Sequence, residues 1–112
     1  MNYRYKIEII LDDEKIISDD EYEIKDIYNA ISNCFLEEGI QEVQSEDNTM
    51  VFISNDYEHD DFSAFGVVEN ILFDSDWFRT YVKKMTWYNS SYGKDYCEDV
   101  IEAYKMEGFY NE

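Results

Sequence analysis

The sequence contains no proline and only four glycines in 112 residues. Because Pro-rich and Gly-rich runs mark most flexible linkers, nothing in the sequence indicates a boundary between domains. The length is also close to that of one typical domain. We therefore predict a single domain over residues 1–112.

Long apolar runs are also missing. No stretch approaches the 18 or so residues needed to span a bilayer, and the first ten residues lack the apolar core and cleavage site of a signal peptide. The chain has two cysteines, Cys34 and Cys97. A lone pair without a signal peptide is typical of reduced thiols rather than a disulfide. These observations predict a cytoplasmic protein with two reduced core thiols and no membrane contact.

Cations are scarce, with nine Lys and Arg against 27 Asp and Glu, a net charge of −18. Direct binding to nucleic acid or to anionic membranes is not expected, because both draw affinity from Lys and Arg. A hydrophobic content of 45% and an aromatic content of 18% exceed those of a disordered acidic tail, so we expect a folded core. A body of this length is on the order of 35 Å across, and duplex DNA of that length carries roughly 20 negative charges. The protein and such a duplex therefore match in total charge.

Hydrophobic periodicity in the first half of the chain predicts strands around one helix. Alternation over residues 3–11 is typical of a half-buried strand, and residues 15–18 are expected to return as a short second strand. A helical stripe from Ile24 to Phe35 should end at Gly39, in the position that favours glycine. Residues 40–44 and 49–54 are expected to form a hairpin whose second strand is central.

The second half of the chain is expected to be helical. Phe65, Val68 and Leu72 form one stripe, a helix is expected from Ser75 through Tyr88, and another after position 95. The overall prediction is an α+β fold, with a small antiparallel sheet and three to four helices packed on one face.

The charges are unevenly distributed. Thirteen acidic residues and no Lys or Arg occur from Asp26 to Phe78, whereas Arg79 to Lys94 holds four cations and no acid. This predicts a basic helix between acidic flanks, which would offset the acidic body by attraction within the molecule or contribute to a mixed protein-binding surface. A nucleic-acid patch of these cations with Trp87, Tyr88 and Tyr92 is the third alternative, although the net charge of the protein would repel phosphate.

Metal binding and catalysis are not expected. The acids around His59, at positions 56, 58, 60 and 61, lack the spacing and central glycine of an EF-hand loop. His59 is the only histidine. The usual zinc sites with two or three histidines are therefore excluded, and a nucleophilic triad could use only this one imidazole. Gly-rich phosphate loops and G-x-S-x-G motifs are absent. We predict a protein that is not an enzyme and has no catalytic residue, metal or cofactor.

Three segments carry a resemblance to known proteins: YRYKIEIILDDEKI at 3–16, ILFDSDWFRTYVKKMTWYNSS at 71–91 and EDVIEAY at 98–104. In their aromatic spacing they resemble small acidic proteins encoded on conjugative and other mobile elements of low-GC Gram-positive bacteria. The resemblance implies a bacterial cytoplasmic setting, and such elements also carry anti-CRISPR and anti-restriction inhibitors. It carries over no functional residue.

The leading hypothesis is an acidic DNA-mimic-type inhibitor, anti-CRISPR or anti-restriction in kind. Its rigid carboxylates would take the place of phosphates on the nucleic-acid-contacting surface of a bacterial defence protein, such as a CRISPR nuclease. The expected partner-binding residues are the acids of the central window: Glu37, Glu38, Glu42, Glu46, Asp47, Asp56, Glu58, Asp60 and Asp61.

Two alternatives remain open. One is a non-enzymatic interaction protein of a mobile element, which binds a partner, or a second copy as a homodimer, through aromatic C-terminal helices. Its contact residues would be Trp77, Trp87, Tyr88 and Tyr92, because Trp and Tyr dominate interface hot spots. The other is that the negative surface serves solubility alone.

Overall fold

The computed structural model describes residues 3–45, 47–54 and 61–110. Within these ranges five strands form one antiparallel sheet in the order β2-β3-β1-β4-β5. The strands are β1 Tyr5–Leu11, β2 Gln41–Val43, β3 Thr49–Ser54, β4 Val82–Asn89 and β5 Cys97–Asp99. The helices are α1 Asp13–Asp19, α2 Ile24–Glu37, α3 Phe62–Phe73, α4 Asp76–Tyr81 and α5 Val100–Met106. The predicted α+β fold is confirmed, although the described residues form five helices where three to four were expected.

Strand β1 lies at the centre of the sheet because its alternating residues can bury one face. Tyr5, Ile7, Ile9 and Leu11 are buried, and the residues between them are only partly so. Ile7 pairs with Phe52 on β3 and with Trp87 on β4, which continues the apolar row across three strands. All five helices contribute buried side chains to this same core, so helices cover one face of the sheet.

Helix α2 follows the prediction closely. Ile27, Ile31 and Phe35 form its buried stripe, and the ring of Phe35 stacks on that of Phe52 with centroids 3.8 Å apart. Gly39 follows the helix with φ +76°, a left-handed conformation that side chains with a Cβ rarely adopt. The glycine therefore ends the helix and turns the chain into β2.

The predicted strand at residues 15–18 is wrong, because these residues belong to α1. The side chain of Asp12 accepts a hydrogen bond from the backbone N–H of Lys15 at 3.1 Å and so caps the helix. Ile16 is the one residue of α1 that is fully buried. A short helix is sufficient here, because its N-terminus is capped and only one of its side chains is buried.

The predicted helix from Ser75 through Tyr88 is also wrong beyond Tyr81, where strand β4 begins. Met85 and Trp87 are buried, and the residues that alternate with them are more exposed, which is the period of a strand. Pairing with β1 along its whole length fixes this conformation. The basic helix expected from Arg79 to Lys94 therefore does not exist, and its cations are divided among α4, β4 and the loop after β4.

Both edges of the sheet are short and charged. Strand β2 has the sequence QEV, strand β5 has the sequence CED, and each is three residues long. Short strands with carboxylates discourage pairing with another chain. Among the helices of the described ranges, none is long and apolar enough to cross a membrane.

Candidate functional site

Five of the nine predicted partner-binding acids lie within the described residues: Glu37, Glu38, Glu42, Asp47 and Asp61. The other four, Glu46, Asp56, Glu58 and Asp60, lie outside them, as does His59. The prediction that these nine acids form one surface can therefore be compared with the structure at five positions.

Three of the five lie close together along one side of the sheet. Glu37 and Glu38 are at the end of α2, and Glu42 is on the edge strand β2. We call these three residues the acidic edge. All three are exposed, and the Oε1 atom of Glu42 accepts a hydrogen bond from the hydroxyl of Ser32 at 2.8 Å. The acidic edge forms no ion pair with any residue that the structure describes.

The other two predicted acids lie at opposite ends of β3. Asp47 is in the turn before the strand, and Asp61 follows it, where its carboxylate accepts a hydrogen bond from the Ser54 hydroxyl. Five steps of a strand span roughly 17 Å. Asp47 and Asp61 are therefore separated by the length of β3 and do not form one cluster.

The aromatic residues of the alternative hypothesis do not share a surface. Trp87 and Tyr88 are neighbours on β4, so their side chains point to opposite faces of the sheet. Trp87 is buried and stacks on Tyr5 with ring centroids 5.3 Å apart, whereas the Tyr88 hydroxyl donates to Glu8 on the open face at 2.7 Å. Trp77 is half-buried against the core from α4, and Tyr92 is exposed after β4. The predicted C-terminal helix that would have placed these four residues on one surface does not form, because residues 82–89 are strand β4.

A cleft at the other edge of the sheet, beside β5, brings together residues that are far apart in the sequence. It has a volume of about 220 Å³ and lies between α3, the paired strands β4 and β5, and α5. Its floor is apolar, and three carboxylates border it. The lining residues are Phe62, Phe65, Gly66, Glu69, Trp87, Glu98, Asp99, Val100, Ala103 and Tyr104.

Aromatic rings form one wall of this cleft, which we call the acidic cleft. Trp87 meets Phe65 edge-on with centroids 5.2 Å apart and Phe62 at 5.8 Å. On the helical sides, Gly66 on α3 and Ala103 on α5 carry little or no side chain. These two small residues leave the space that larger residues would fill.

The rings extend outward from the acidic cleft into a shallow groove. This groove shares Phe62, Trp87 and Glu98 with the acidic cleft and is also lined by Tyr92 and Tyr96. We call Phe62, Tyr92 and Tyr96 the cleft mouth. Tyr92 is 70% exposed and Phe62 52% exposed. Exposed aromatic side chains that adjoin a cleft are typical of a contact surface.

The electrostatics of the acidic cleft are entirely negative. Glu69, Glu98 and Asp99 line it, and none of the nine Lys and Arg, all of which the structure describes, is among its lining residues. The Oε2 atom of Glu98 accepts from the Tyr96 hydroxyl at 2.8 Å, and the Oδ1 atom of Asp99 accepts from the backbone N–H of Glu102 at 3.1 Å as the cap of α5. Hydrogen bonds thus hold Glu98 and Asp99 in place, and no Lys or Arg lines the cleft beside them.

The carboxyl group of Glu69 responds to this environment. Burial, with the nearby Glu98 carboxylate, raises the pKa of Glu69 to about 7. The Tyr104 hydroxyl, which donates to Asn70 Oδ1 at 2.9 Å, is also within hydrogen-bonding reach of the Glu69 carboxyl and lowers its pKa in part. Glu69 therefore changes its charge near neutral pH, and a cation in the acidic cleft would favour the charged form.

The two cysteines differ from the prediction in one respect. Cys34, on α2, is half-buried against the core, and burial followed by the Glu37 carboxylate raises the pKa of its thiol. Cys97 was expected in a helix and in the core, but it lies exposed on β5. Neither forms a disulfide. Within the described ranges, no group of three or more His, Cys, Asp or Glu side chains is placed to hold a metal ion.

Comparison with protein-family models, with curated proteins and with solved structures finds no match to this chain. The candidate sites therefore depend on the geometry of the chain itself.

Proposed function

We propose that this protein is an acidic DNA-mimic-type inhibitor, which binds the nucleic-acid-contacting surface of a bacterial defence protein such as a CRISPR nuclease. The observation that carries the proposal is that the acidic edge is exposed and has no cationic partner among the described residues. Such carboxylates are available to pair with Lys and Arg of another molecule. Their role is to bind, and no catalytic step is involved.

Lys6, Lys15 and Arg79 form ion pairs with carboxylates away from the acidic edge. Ion pairs between described residues join Lys6 to Glu8 and Lys15 to Asp19, each at 3.6 Å. Arg79 pairs with Asp76 on its own helix and donates to a backbone carbonyl. Of the four cations between residues 79 and 94, all within the described ranges, Arg79 is thus paired on its own helix, and none of the four forms an ion pair with the acidic edge.

The lysines of β4 are too distant to neutralise the acidic edge. Strands β3 and β1 separate β4 from β2, and three strand spacings amount to about 14 Å. Surface charges are largely screened beyond about 8 Å at physiological ionic strength. The acidic edge therefore presents its own field to an approaching basic surface, which favours rapid and salt-dependent association.

A displacement assay tests the proposal. A guide-loaded CRISPR nuclease is bound to a fluorescent DNA duplex, and the protein is added at increasing concentration and at several salt concentrations. We expect release of the DNA, with an apparent affinity that falls steeply as salt rises. A protein that leaves the DNA bound at low salt, across nucleases and restriction enzymes alike, contradicts the proposal.

A pair of matched variants assigns the effect to the acidic edge. The triple variant Glu37→Gln, Glu38→Gln, Glu42→Gln removes three charges there, and we expect about tenfold weaker displacement, because several rim charges together contribute on the order of 1 kcal/mol or more. The control triple Glu14→Gln, Asp20→Asn, Glu21→Gln removes the same charge from exposed positions near α1. Equal weakening by both triples would show a general charge effect without a defined surface.

The alternative interaction surface of Trp77, Trp87, Tyr88 and Tyr92 has weaker support. Its residues face different directions, and Trp87 is part of the core. The two hypotheses still differ in their salt response, since an aromatic interface would persist at salt concentrations that abolish the binding of carboxylates.

A further inference from the structure

We propose that the acidic cleft binds the guanidinium group of an arginine side chain presented by a partner protein. The inference deepens the proposed function, since it supposes a basic partner, but it concerns a different surface from the acidic edge. The shape of the cleft, its charge and the aromatic rings around it all favour this ligand.

The charge of the acidic cleft selects a cation. Glu69 and Glu98 border an apolar floor without a Lys or Arg among the lining residues. An apolar ligand would bury these carboxyl groups without a partner, which is unfavourable, and an anion would be repelled. A cation would pair with them in a partly desolvated site, where charge-assisted hydrogen bonds are strong.

The aromatic rings favour a guanidinium over an ammonium group. Phe62, Trp87, Tyr92 and Tyr96 line the groove that leads from the cleft mouth to Glu98. A guanidinium group is planar, stacks on aromatic faces and is more weakly hydrated than an ammonium group, and its fork of donors matches a carboxylate. An arginine can therefore use the rings and Glu98 together, whereas a lysine uses mainly its charge.

Binding should depend on pH through Glu69. The groups that face it are Glu98 from β5, Tyr104 from α5 and Glu107, which directly follows α5. Because its pKa is raised to about 7, Glu69 is largely protonated at pH 6 and largely ionised at pH 8. A guanidinium group binds the ionised form, so we expect affinity to rise up to about tenfold between pH 6 and pH 8.

The test uses short blocked peptides and the fluorescence of Trp87. The substitution Trp77→Phe leaves Trp87, which lines the cleft, as the single tryptophan. The peptides are Gly-Ser-Arg-Ser-Gly, the same peptide with citrulline, which is neutral and nearly isosteric, and the same peptide with lysine. We expect saturable binding of the arginine peptide and at least about tenfold weaker binding of the other two, a difference of roughly 1.4 kcal/mol. Equal binding of the citrulline or the lysine peptide overturns the assignment of a guanidinium site.

A cleft-filling variant tests the location without changing the charge. Gly66 lines the cleft, has an ordinary helical conformation, and a Cβ added there meets no atom within 4 Å. Gly66→Leu should fill the cleft and abolish binding of the arginine peptide, and its melting curve reports whether it folds. The double variant Glu69→Gln, Glu98→Gln gives a second test that leaves the cleft open. Unchanged peptide binding in either folded variant would show that the arginine binds elsewhere.

The two proposals can fail separately. If the arginine peptide binds the acidic cleft but no DNA is displaced from any defence protein, the proposed function is wrong and the cleft assignment stands. If displacement depends on the acidic edge while no arginine peptide binds, the cleft assignment is wrong and the proposed function stands.

Discussion

The two edges of the sheet have similar sequences but different environments. Strand β2 forms one edge and pairs with β3. Helix α2, which precedes β2 in the chain, packs Phe35 directly onto Phe52 of β3. Strand β5, at the other edge, lies beside α3 and α5, which leave the acidic cleft between them. Glu42 on β2 and Glu98 on β5 are both exposed, but Glu98 also borders aromatic rings and raises the pKa of the partly buried Glu69.

Carboxyl groups at the two edges therefore have different surroundings, and a cation would interact with them differently. An exposed carboxylate contributes to the long-range field and is screened by salt. The partly buried carboxyl group of Glu69 has lost part of its hydration, so a cation that reaches it gains more. Under the two proposals, the acidic edge would attract a basic surface and the acidic cleft would hold one side chain of it.

The largest expected difference in stability is between removal of an aromatic ring beside the acidic edge and removal of one at the cleft mouth. Phe35 is fully buried beside the acidic edge, whereas Phe62 is 52% exposed at the cleft mouth. We expect Phe35→Ala to lower the free energy of unfolding by about 3–5 kcal/mol, because it removes a buried ring and leaves a cavity. Phe62→Ala should lower it by less than about 1 kcal/mol. Urea unfolding followed by circular dichroism measures both, and similar losses would contradict the difference in packing.

Removing a carboxylate from each side gives the next contrast, and it depends on pH. Because the folded pKa of Glu69, about 7, lies above its ordinary value of 4.5, the fold favours the protonated form. The stability of the folded state should therefore fall as pH rises from about 4.5 to about 7, and the penalty is fully present at pH 8, at up to about 3 kcal/mol.

The substitution Glu69→Gln removes that penalty. We expect it to stabilise the protein at pH 8 by about 1–3 kcal/mol and to have little effect at pH 4.5. Glu42→Gln, on the acidic edge, should change stability by less than about 0.5 kcal/mol at either pH. Urea unfolding at the two pH values provides the measurement, and a Glu69→Gln effect that is the same at both would show that Glu69 is not desolvated.

Sequence patterns predicted the elements whose packing is local. The alternation in β1, the stripe of α2 and the hairpin of β2 and β3 all follow from residues close together in the chain, and all are confirmed. The segment after Tyr81 failed because Phe78, Tyr81, Val82 and Met85 fit a helical stripe while Met85 and Trp87 fit a strand. Pairing with β1, a contact distant in sequence, decided between them.

Contacts between residues distant in the chain also explain why the sequence did not predict the acidic cleft. Glu37, Glu38 and Glu42 could be grouped from the sequence because they are close in the chain, and their role in binding a partner stays a prediction. The acidic cleft joins α3, β4, β5 and α5, and its character depends on Glu69 and Glu98, which are distant in the chain. With 27 acids present, no spacing rule distinguishes such a pair. The nearest indication was the aromatic content of the C-terminal segment, which was assigned to a helix that does not form.

The smallest contrast uses the same substitution, Gly to Ala, on each side of the sheet. Gly39 leads from α2 into the acidic edge with φ +76°, where a Cβ is strained whatever the space around it, so Gly39→Ala should destabilise the protein by about 1 kcal/mol. Gly66 lies inside α3 and borders the acidic cleft, where a Cβ meets nothing within 4 Å, so Gly66→Ala should stabilise it by up to about 1 kcal/mol through helix propensity. Thermal unfolding of both variants under one condition gives the signs. A destabilising Gly66→Ala would mean that the space between α3 and α5 is already filled, and the acidic cleft would then have no room for a side chain.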